Sequence, residues 1–453
     1  MLTKLTKVSQ RLSPGLRRII QSVGWLSGER VLRMAVTLFV GIYVVRYLGP
    51  QAYGKLSYAA SFVGLFEAIT KLGLDGIVVR NVVQDENSTQ EILGTAFGLR
   101  LMSSLGIFAL IVGTSWSVAE EPQVRWMMVI IATGLVLQST QVIGLWFQSE
   151  VLSGPIARVR IIAFFATAGA KLLFIALGLP LIFFAWAMLL EILLKAVGMM
   201  GMYFHHGQSM AHWKMKWGKA RGLLKDSWPL ILSGVMVTIY MKIDQVMLGN
   251  LASNEAVGNY AAAVRLTEVW YFIPTVICSS VFPAIMRAKQ RSEEEYYQRW
   301  QQLYDIMAWV SIVIAVGMTF LAGTLITTLL GAQYAEAATI LALYIWATPF
   351  VFLGVARGKW FVAENLTKFS FITTSLGAVV NVVLNLVLIP SYQGMGAALA
   401  TVISQAVSAY IIFLVYPPFW RIGWMLIKAL FIPLRIGQNL TYIGYLKNLL
   451  KPT

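Results

Sequence analysis

Ala52-Tyr53-Gly54-Lys55-Leu56-Ser57-Tyr58-Ala59-Ala60 has a counterpart far downstream in the same chain, Ala256-Val257-Gly258-Asn259-Tyr260-Ala261-Ala262-Ala263. Each stretch sets a glycine in a short connection and then runs small residues into a long apolar segment. An internal repeat on this scale is the mark of a duplicated membrane transporter. Trp25 and Trp228 extend the correspondence, since each follows a basic stretch and opens the first apolar segment of a half.

The rest of the chain has the composition this plan requires. Its 453 residues are 58% hydrophobic and only 12% charged, with a mean hydropathy of +0.70. A soluble domain of this size would leave too much apolar surface in water, so the class is polytopic membrane protein. Windows of about 20 residues predict twelve spans at 24–47, 56–79, 92–118, 125–147, 158–178, 180–203, 226–250, 257–284, 304–330, 335–357, 369–390 and 395–416. Lipid admits only helices or closed barrels, and runs this long are helices. The expected organisation is a basic tail (1–22), a six-helix lobe (23–203), a basic linker (204–225), a second six-helix lobe (226–416) and an amphipathic tail (417–453). Six spans return the chain to its starting side, so the two repeats are parallel.

The net charge of +16 reflects topology and gives no reason to expect nucleic acid. Lys and Arg crowd alternate loops: the N-terminal tail, the linker with Lys214, Lys216, Lys219, Arg221 and Lys225, and the segment with Arg287, Lys289, Arg291 and Arg299. The opposite loops hold Arg46, Lys55 and Arg125. The positive-inside rule then places both termini in the cytoplasm, with the basic faces against membrane lipid headgroups. No cleavable signal peptide is expected, because the first apolar stretch is long enough to be a span. Cys278 stands alone inside a span and reads as a small buried residue. His205, His206 and His212 share a loop without acids or Cys at ligand spacing, so no metal is expected. No Walker lysine motif or His-Glu-x-x-His pattern occurs, which argues against direct use of ATP. Trp116, Trp126, Trp146, Trp213 and Trp217 sit near span ends and read mostly as interfacial belts.

Four spans carry charge where an apolar helix should not. Glu29, Arg30 and Arg33 lie in the first; Glu67, Lys71 and Asp75 in the second; Lys242 and Asp244 in the seventh; Arg265 and Glu268 in the eighth. A charge at mid-bilayer costs about 2.5–3.5 kcal/mol on insertion scales, which makes each a functional candidate. Glu67, Lys71 and Asp75 follow at successive turns and are expected on one helix face. Lys242 falls on a polar stripe with Gly234, Thr238, Gln245 and Gly249, whereas Asp244 points elsewhere, toward a neighbouring helix. The basic residues suit an anionic headgroup, and the acids suit pairing or uptake of H+ or Na+. Structural ion pairing is the competing reading, because each acid has a base about one turn away. Glu191 and Lys195, one turn apart in the sixth span, read as such a pair.

Two amphipathic pieces complete the reading. Segment 285–303 is expected as a connector on the membrane surface. In the tail, Arg421, Lys428 and Arg435 recur every seven residues among apolar neighbours, which predicts a C-terminal interfacial helix that Pro433 keeps from crossing.

Several short motifs resemble the Wzx-type polysaccharide (O-antigen) flippases: Tyr47-Leu48-Gly49-Pro50 with Tyr53-Gly54, Lys71-Leu72-Gly73-Leu74, Lys242-Ile243-Asp244-Gln245-Val246-Met247-Leu248-Gly249 and Val257-Gly258-Asn259-Tyr260. The resemblance runs from about residue 20 to 416 and rests on motif order and the twelve-span plan. It implies an all-α, MATE-like flippase fold, two six-helix lobes around a cavity lined chiefly by spans one, two, seven and eight. It further implies an undecaprenyl-diphosphate-linked oligosaccharide turned from the cytoplasmic to the periplasmic leaflet of the cell inner membrane by alternating access. No catalysis is implied, and the polysaccharide polymerase machinery is an expected partner. On this resemblance Arg30, Arg33, Lys71, Lys242 and Arg265 are expected to contact substrate, and Glu29, Glu67, Asp75, Asp244 and Glu268 to serve coupling or ion pairing. Acids and bases are equal in number in this set, so a purely cationic path does not follow.

The rivals are a lipid II flippase or a cation-coupled multidrug antiporter of the same superfamily, and, in a different class, a membrane polymerase or ligase. The tail is too short and basic for the extra helix pair of the lipid II flippases. An antiporter would favour acids and aromatics over Arg, and an enzyme would need a larger outer loop than this chain offers.

Overall fold

The computed structural model describes the backbone of residues 14–435 and the side chains of residues 33–34 and 36–435. Among these residues the regular structure is helical. The first helix, α1 (Pro14–Gly64), turns sharply at Gly49 (φ 71°, ψ 168°), directly before Pro50. Glycine tolerates the positive φ, and proline cannot donate to the preceding turn, so the pair reorients the chain without ending it. Two short helices follow, α2 (Glu67–Lys71) and α3 (Asp75–Gln84). Next come α4 (Thr89–Val118), α5 (Pro122–Leu137), α6 (Val142–Ser149), α7 (Ser153–Ala176), α8 (Ile182–His205) and α9 (Trp217–Leu251). The remainder is α10 (Asn254–Glu268), α11 (Phe272–Arg291), α12 (Glu293–Leu329), α13 (Ala335–Tyr344), α14 (Thr348–Ala363), α15 (Thr367–Val415) and α16 (Trp420–Leu430).

Nine helical stretches among the described residues are long and apolar enough to cross a membrane. The last of them, α15, breaks at Gln393 (φ 47°, ψ −126°) shortly after Pro390, where two separate spans were expected. Large apolar side chains point outward, Phe320 being 83% exposed. Such a surface is suited to hydrocarbon and not to water. The chain is therefore a multi-pass, all-α membrane protein.

The second expected span, 56–79, is not one helix. Its middle opens after Gly64, and Leu72 (φ 55°) and Gly73 (φ 59°) adopt left-handed backbone between α2 and α3. Hydropathy misses the break because both residues are as apolar as a continuous helix requires.

The chain divides into two compact units, Met1–Ile243 and Asp244–Thr453. A core of the first gathers Leu74, Val78, Leu93, Val142, Phe147 and Tyr203. Trp146 belongs to this core, edge-on to Phe147 and Tyr203, so it is no belt residue. Segment 204–225 is stitched down: Lys216 donates its backbone N–H to Thr95 Oγ1 at 3.0 Å, and Lys216 and Lys219 both pair with Glu91. Gly94 makes this possible, since a Cβ there would stand 2.6 Å from the Lys214 nitrogen.

A core of the second unit centres on Trp300, Tyr304, Phe352, Phe361 and Phe413, with Phe361 and Phe413 stacked. Segment 285–303 is not a separate connector. Two helices meet at Ser292, whose side chain caps Glu295 N–H at 3.1 Å, and Tyr296 and Trp300 are buried. In the tail, α16 buries Ile422, Met425, Leu426 and Ala429 and exposes Trp420 and Trp424, the division expected of an interfacial helix. Arg435 lies beyond its end, where it donates to the Lys428 carbonyl at 3.2 Å and pairs with Asp305 at 3.4 Å.

Candidate functional site

In the N-terminal unit the broken backbone after Lys71 sorts the expected charges. Within α2, Lys71 donates to Glu67 at 2.6 Å, the one-turn pairing that the spacing predicts. Asp75 does not continue that face. It starts α3 and accepts from Arg100 of α4 at 2.6 Å. The guanidinium of Arg100 is only 2% exposed while the carboxylate of Asp75 is 62% exposed. Asp75 is thus the counter-charge that permits a buried arginine, and Arg100 is a partner the sequence reading overlooked.

Glycines on this segment and on α9 set the close approach of the two. A Cβ on Gly73 would stand 2.8 Å from Leu230 Cβ, and one on Gly234 would stand 3.2 Å from Ala68 Cβ. The Lys242 stem passes Gly64, whose built Cβ would lie 3.9 Å from Lys242 Cγ, and Lys242 is half-buried. From the middle of α3, Arg80 donates to Asp226 of α9 at 2.5 Å, with both side chains about half exposed.

Glu191 and Lys195 pair at 2.5 Å, but they are not a closed pair. Arg33 of α1 reaches to 3.9 Å of the same carboxylate oxygen, its guanidinium 5.6 Å from the Phe164 ring. Glu29 and Arg30 lie outside the residues whose side chains are described.

In the C-terminal unit Asp244 is the centre of a buried polar cluster. Its carboxylate, 4% exposed, accepts from Tyr260 Oη of α10 at 2.5 Å, Thr401 Oγ1 at 2.7 Å and Asn385 Nδ2 at 2.6 Å, the last two from α15. Asn385 Nδ2 also donates to Asn381 Oδ1 at 3.2 Å, one turn away. Both asparagines are fully buried. Among the described residues no basic side chain pairs with Asp244, so neutral dipoles alone hold this carboxylate. The expected pairing with a neighbouring helix is found, and two helices supply it.

Local sequence explains why α10 comes so close. Ser253 caps the helix by accepting from Ala256 N–H at 3.1 Å. The buried run Ala261-Ala262-Ala263 then lets backbones approach as small residues do in membrane interfaces. Arg265 and Glu268 sit half-buried at the end of the same helix. Counting ionisable residues alone missed Asn381, Asn385 and Thr401. The i, i+4 asparagine pair inside an apolar run was the available signal.

Residues 43–339 match the polysaccharide biosynthesis protein family. Agl15 of Haloferax volcanii, a probable low-salt glycan biosynthesis flippase, is 23% identical over 385 residues, covering 82% of this chain and 78% of that protein. Among solved structures, the lipid II flippase MurJ in an inward closed conformation aligns with a TM-score of 0.69 at 15% identity, over 89% of this chain and 90% of that one. An inward-facing multidrug resistance MATE family transporter of the MOP superfamily gives 0.66 at 15% identity, over 91% and 99%. These two likenesses establish a shared MATE-like fold. The family match spans more than half of the residues, and this chain belongs to the polysaccharide biosynthesis protein family.

Proposed function

We propose that this protein is a lipid-linked oligosaccharide flippase. It moves undecaprenyl-diphosphate-linked O-antigen or similar polysaccharide repeat units from the cytoplasmic to the periplasmic leaflet of the inner membrane, by alternating access. The observation that carries this reading is the half-buried basic set Arg33, Lys71, Lys242 and Arg265 inside apolar spans, in a chain of a polysaccharide biosynthesis family with a flippase relative. Arginine presents a fixed fork of donors that matches phosphate, and lysine adds a mobile point charge. Glu67, paired to Lys71, holds one of these cations in place.

The Asp244 cluster supports a coupling role for H+ or Na+. Its oxygens, from Asp244, Thr401 and Asn385, are hard donors of the kind small cations prefer, and intramembrane carboxylates recur in proton relays. Asp244 takes up the cation in this reading.

The test is complementation of a bacterial strain lacking its O-unit flippase, scored by surface polysaccharide. The wild-type chain restores it, and Arg33→Ala and Arg265→Ala each reduce it by at least about tenfold, the effect of one lost charge-assisted contact. Full function in both variants removes the basic set from the mechanism. Drug export without surface polysaccharide favours the antiporter instead.

A further inference from the structure

The two glycine-led stretches that correspond in sequence also make the same contact. Lys55 and Asn259 each directly follow the glycine, at positions 204 apart. In the N-terminal unit Lys55 Nζ pairs with Glu121, the residue that precedes α5. In the C-terminal unit Asn259 Nδ2 donates to Glu336 Oε2 at 3.1 Å, in the first turn of α13. Each tie fastens a helical segment that has just begun, after Gly49 in one unit and after Ser253 in the other, to the head of a second helix. The acceptor is a glutamate both times. What differs is the charge of the donor.

The same correspondence gives the reason. It sets Val40 against Asp244 and Leu56 against Tyr260, and both are buried apolar residues, 6% and 7% exposed. The N-terminal unit thus has no carboxylate at this place for a lysine to disturb. In the C-terminal unit position 259 adjoins Tyr260, which donates to Asp244 at 2.5 Å. Asn259 is 1% exposed, so a cation in its place would act on Asp244 through surroundings that screen poorly. An amide makes the tie and brings no charge. Tyr344, at the other end of α13, packs edge-on against the Tyr260 ring with centroids 5.8 Å apart. The helix that holds Asn259 therefore also steadies the donor beside it. Glu336 is left charged by this arrangement: it is exposed, among the described residues no basic side chain pairs with it, and a helix dipole favours a carboxylate in a first turn.

We propose that Asn259 and Glu336 are positioning residues that tune the Asp244 site for a monovalent cation. Asn259 aligns Tyr260 on the carboxylate without a competing positive charge, and Glu336 adds a negative one. The proposal rests on the coupling role given to Asp244 above and extends it to two residues that do not touch the carboxylate. The Lys55–Glu121 pair is its internal control, the same tie built with a charged donor where no buried carboxylate needs protecting.

The test measures cation binding to the full-length protein in nanodiscs. Radiolabelled sodium is titrated at constant ionic strength held with choline chloride, and proton uptake is followed separately after a pH jump. Asp244→Asn is the blank that identifies the site. The wild type exceeds the blank for one of the two cations, which names it. Asn259→Lys rebuilds the tie as Lys55 makes it, and Glu336→Gln keeps an acceptor for Asn259 while removing the charge. Each weakens the binding by about tenfold, the scale of one unit charge near a buried site, without a comparable fall in the thermal unfolding midpoint. Lys55→Asn, the reciprocal exchange, leaves the binding unchanged. If Asn259→Lys does not fold, Glu336→Gln decides alone. Wild-type affinity in the folded variants overturns the tuning role and leaves Asp244 as the coupling group. Weaker binding that only follows a loss of thermal stability makes the tie structural and overturns it as well. A wild type that binds neither cation above the blank fails the coupling reading itself, and this proposal with it.

Discussion

Asn385 donates its side-chain amide to Asp244 at 2.6 Å, joining residues 141 positions apart in the sequence. With Tyr260 and Thr401, it satisfies a buried carboxylate that no basic side chain among the described residues pairs with. Removing one donor leaves the carboxylate underbonded, at a cost of about 1–3 kcal/mol for a buried polar group. Asn385→Ala and Tyr260→Phe are each expected to lower the thermal unfolding midpoint of the purified protein. Asp244→Asn is expected to unfold no more easily than either, because it removes the charge that needs donors. In proteoliposomes with an imposed sodium or pH gradient, Asp244→Asn should lose gradient-driven transport. A variant still driven by the gradient would falsify the coupling role.

Gly73 is the second prediction. Its φ of +59° and the 2.8 Å approach of a built Cβ to Leu230 Cβ both oppose a side chain. Strained backbone of this kind costs about 1–3 kcal/mol. Gly73→Ala should therefore reduce stability and yield, while Gly76→Ala, inside α3 with nothing within 4 Å of a built Cβ, should not. Equal melting of the two variants would show that the tight approach to α9 is not maintained in the membrane.

Asp75 and Arg100 give an asymmetric pair. The guanidinium is buried and the carboxylate largely exposed, so losing the acid strands a charge, while losing the base strands little. Asp75→Asn should destabilise more than Arg100→Met, and the double variant should recover part of the loss. Thermal melts of the three proteins decide this. The opposite order would mean that the pair is dispensable.

Arg80 and Asp226 are half exposed, so their pair should add no more than about 1 kcal/mol to stability. Their placement, on α3 and α9, makes them a tie between two elements that carry candidate site residues. Arg80→Asp should leave the melting temperature nearly unchanged yet reduce flipping in the complementation assay. The exchanged variant Arg80→Asp/Asp226→Arg should restore it. Activity unaffected by the single reversal would leave the pair as a surface contact.

Much of the membrane plan was legible because hydropathy is a local property. Each apolar run reports its own length without reference to any other segment. The Glu67–Lys71 pair was legible for the same reason, since helical spacing alone brings the two together. Asp75 was misplaced because Leu72 and Gly73 look helical to any measure of apolarity, whereas their left-handed backbone turns the next helix toward Arg100. Asn381, Asn385 and Thr401 went unnoticed because neutral side chains leave little trace in a charge count.

The sequence by itself determined the class and which segments carry charge, since both follow from composition and order along the chain. Only the tertiary structure decided which charges have partners. Asp244 is satisfied by residues from α10 and α15, and Glu191 meets Arg33 of α1 as well as Lys195 of its own helix. Such partners are chosen by helix packing, which places side chains far apart in sequence within bonding distance and has no signature in any single segment.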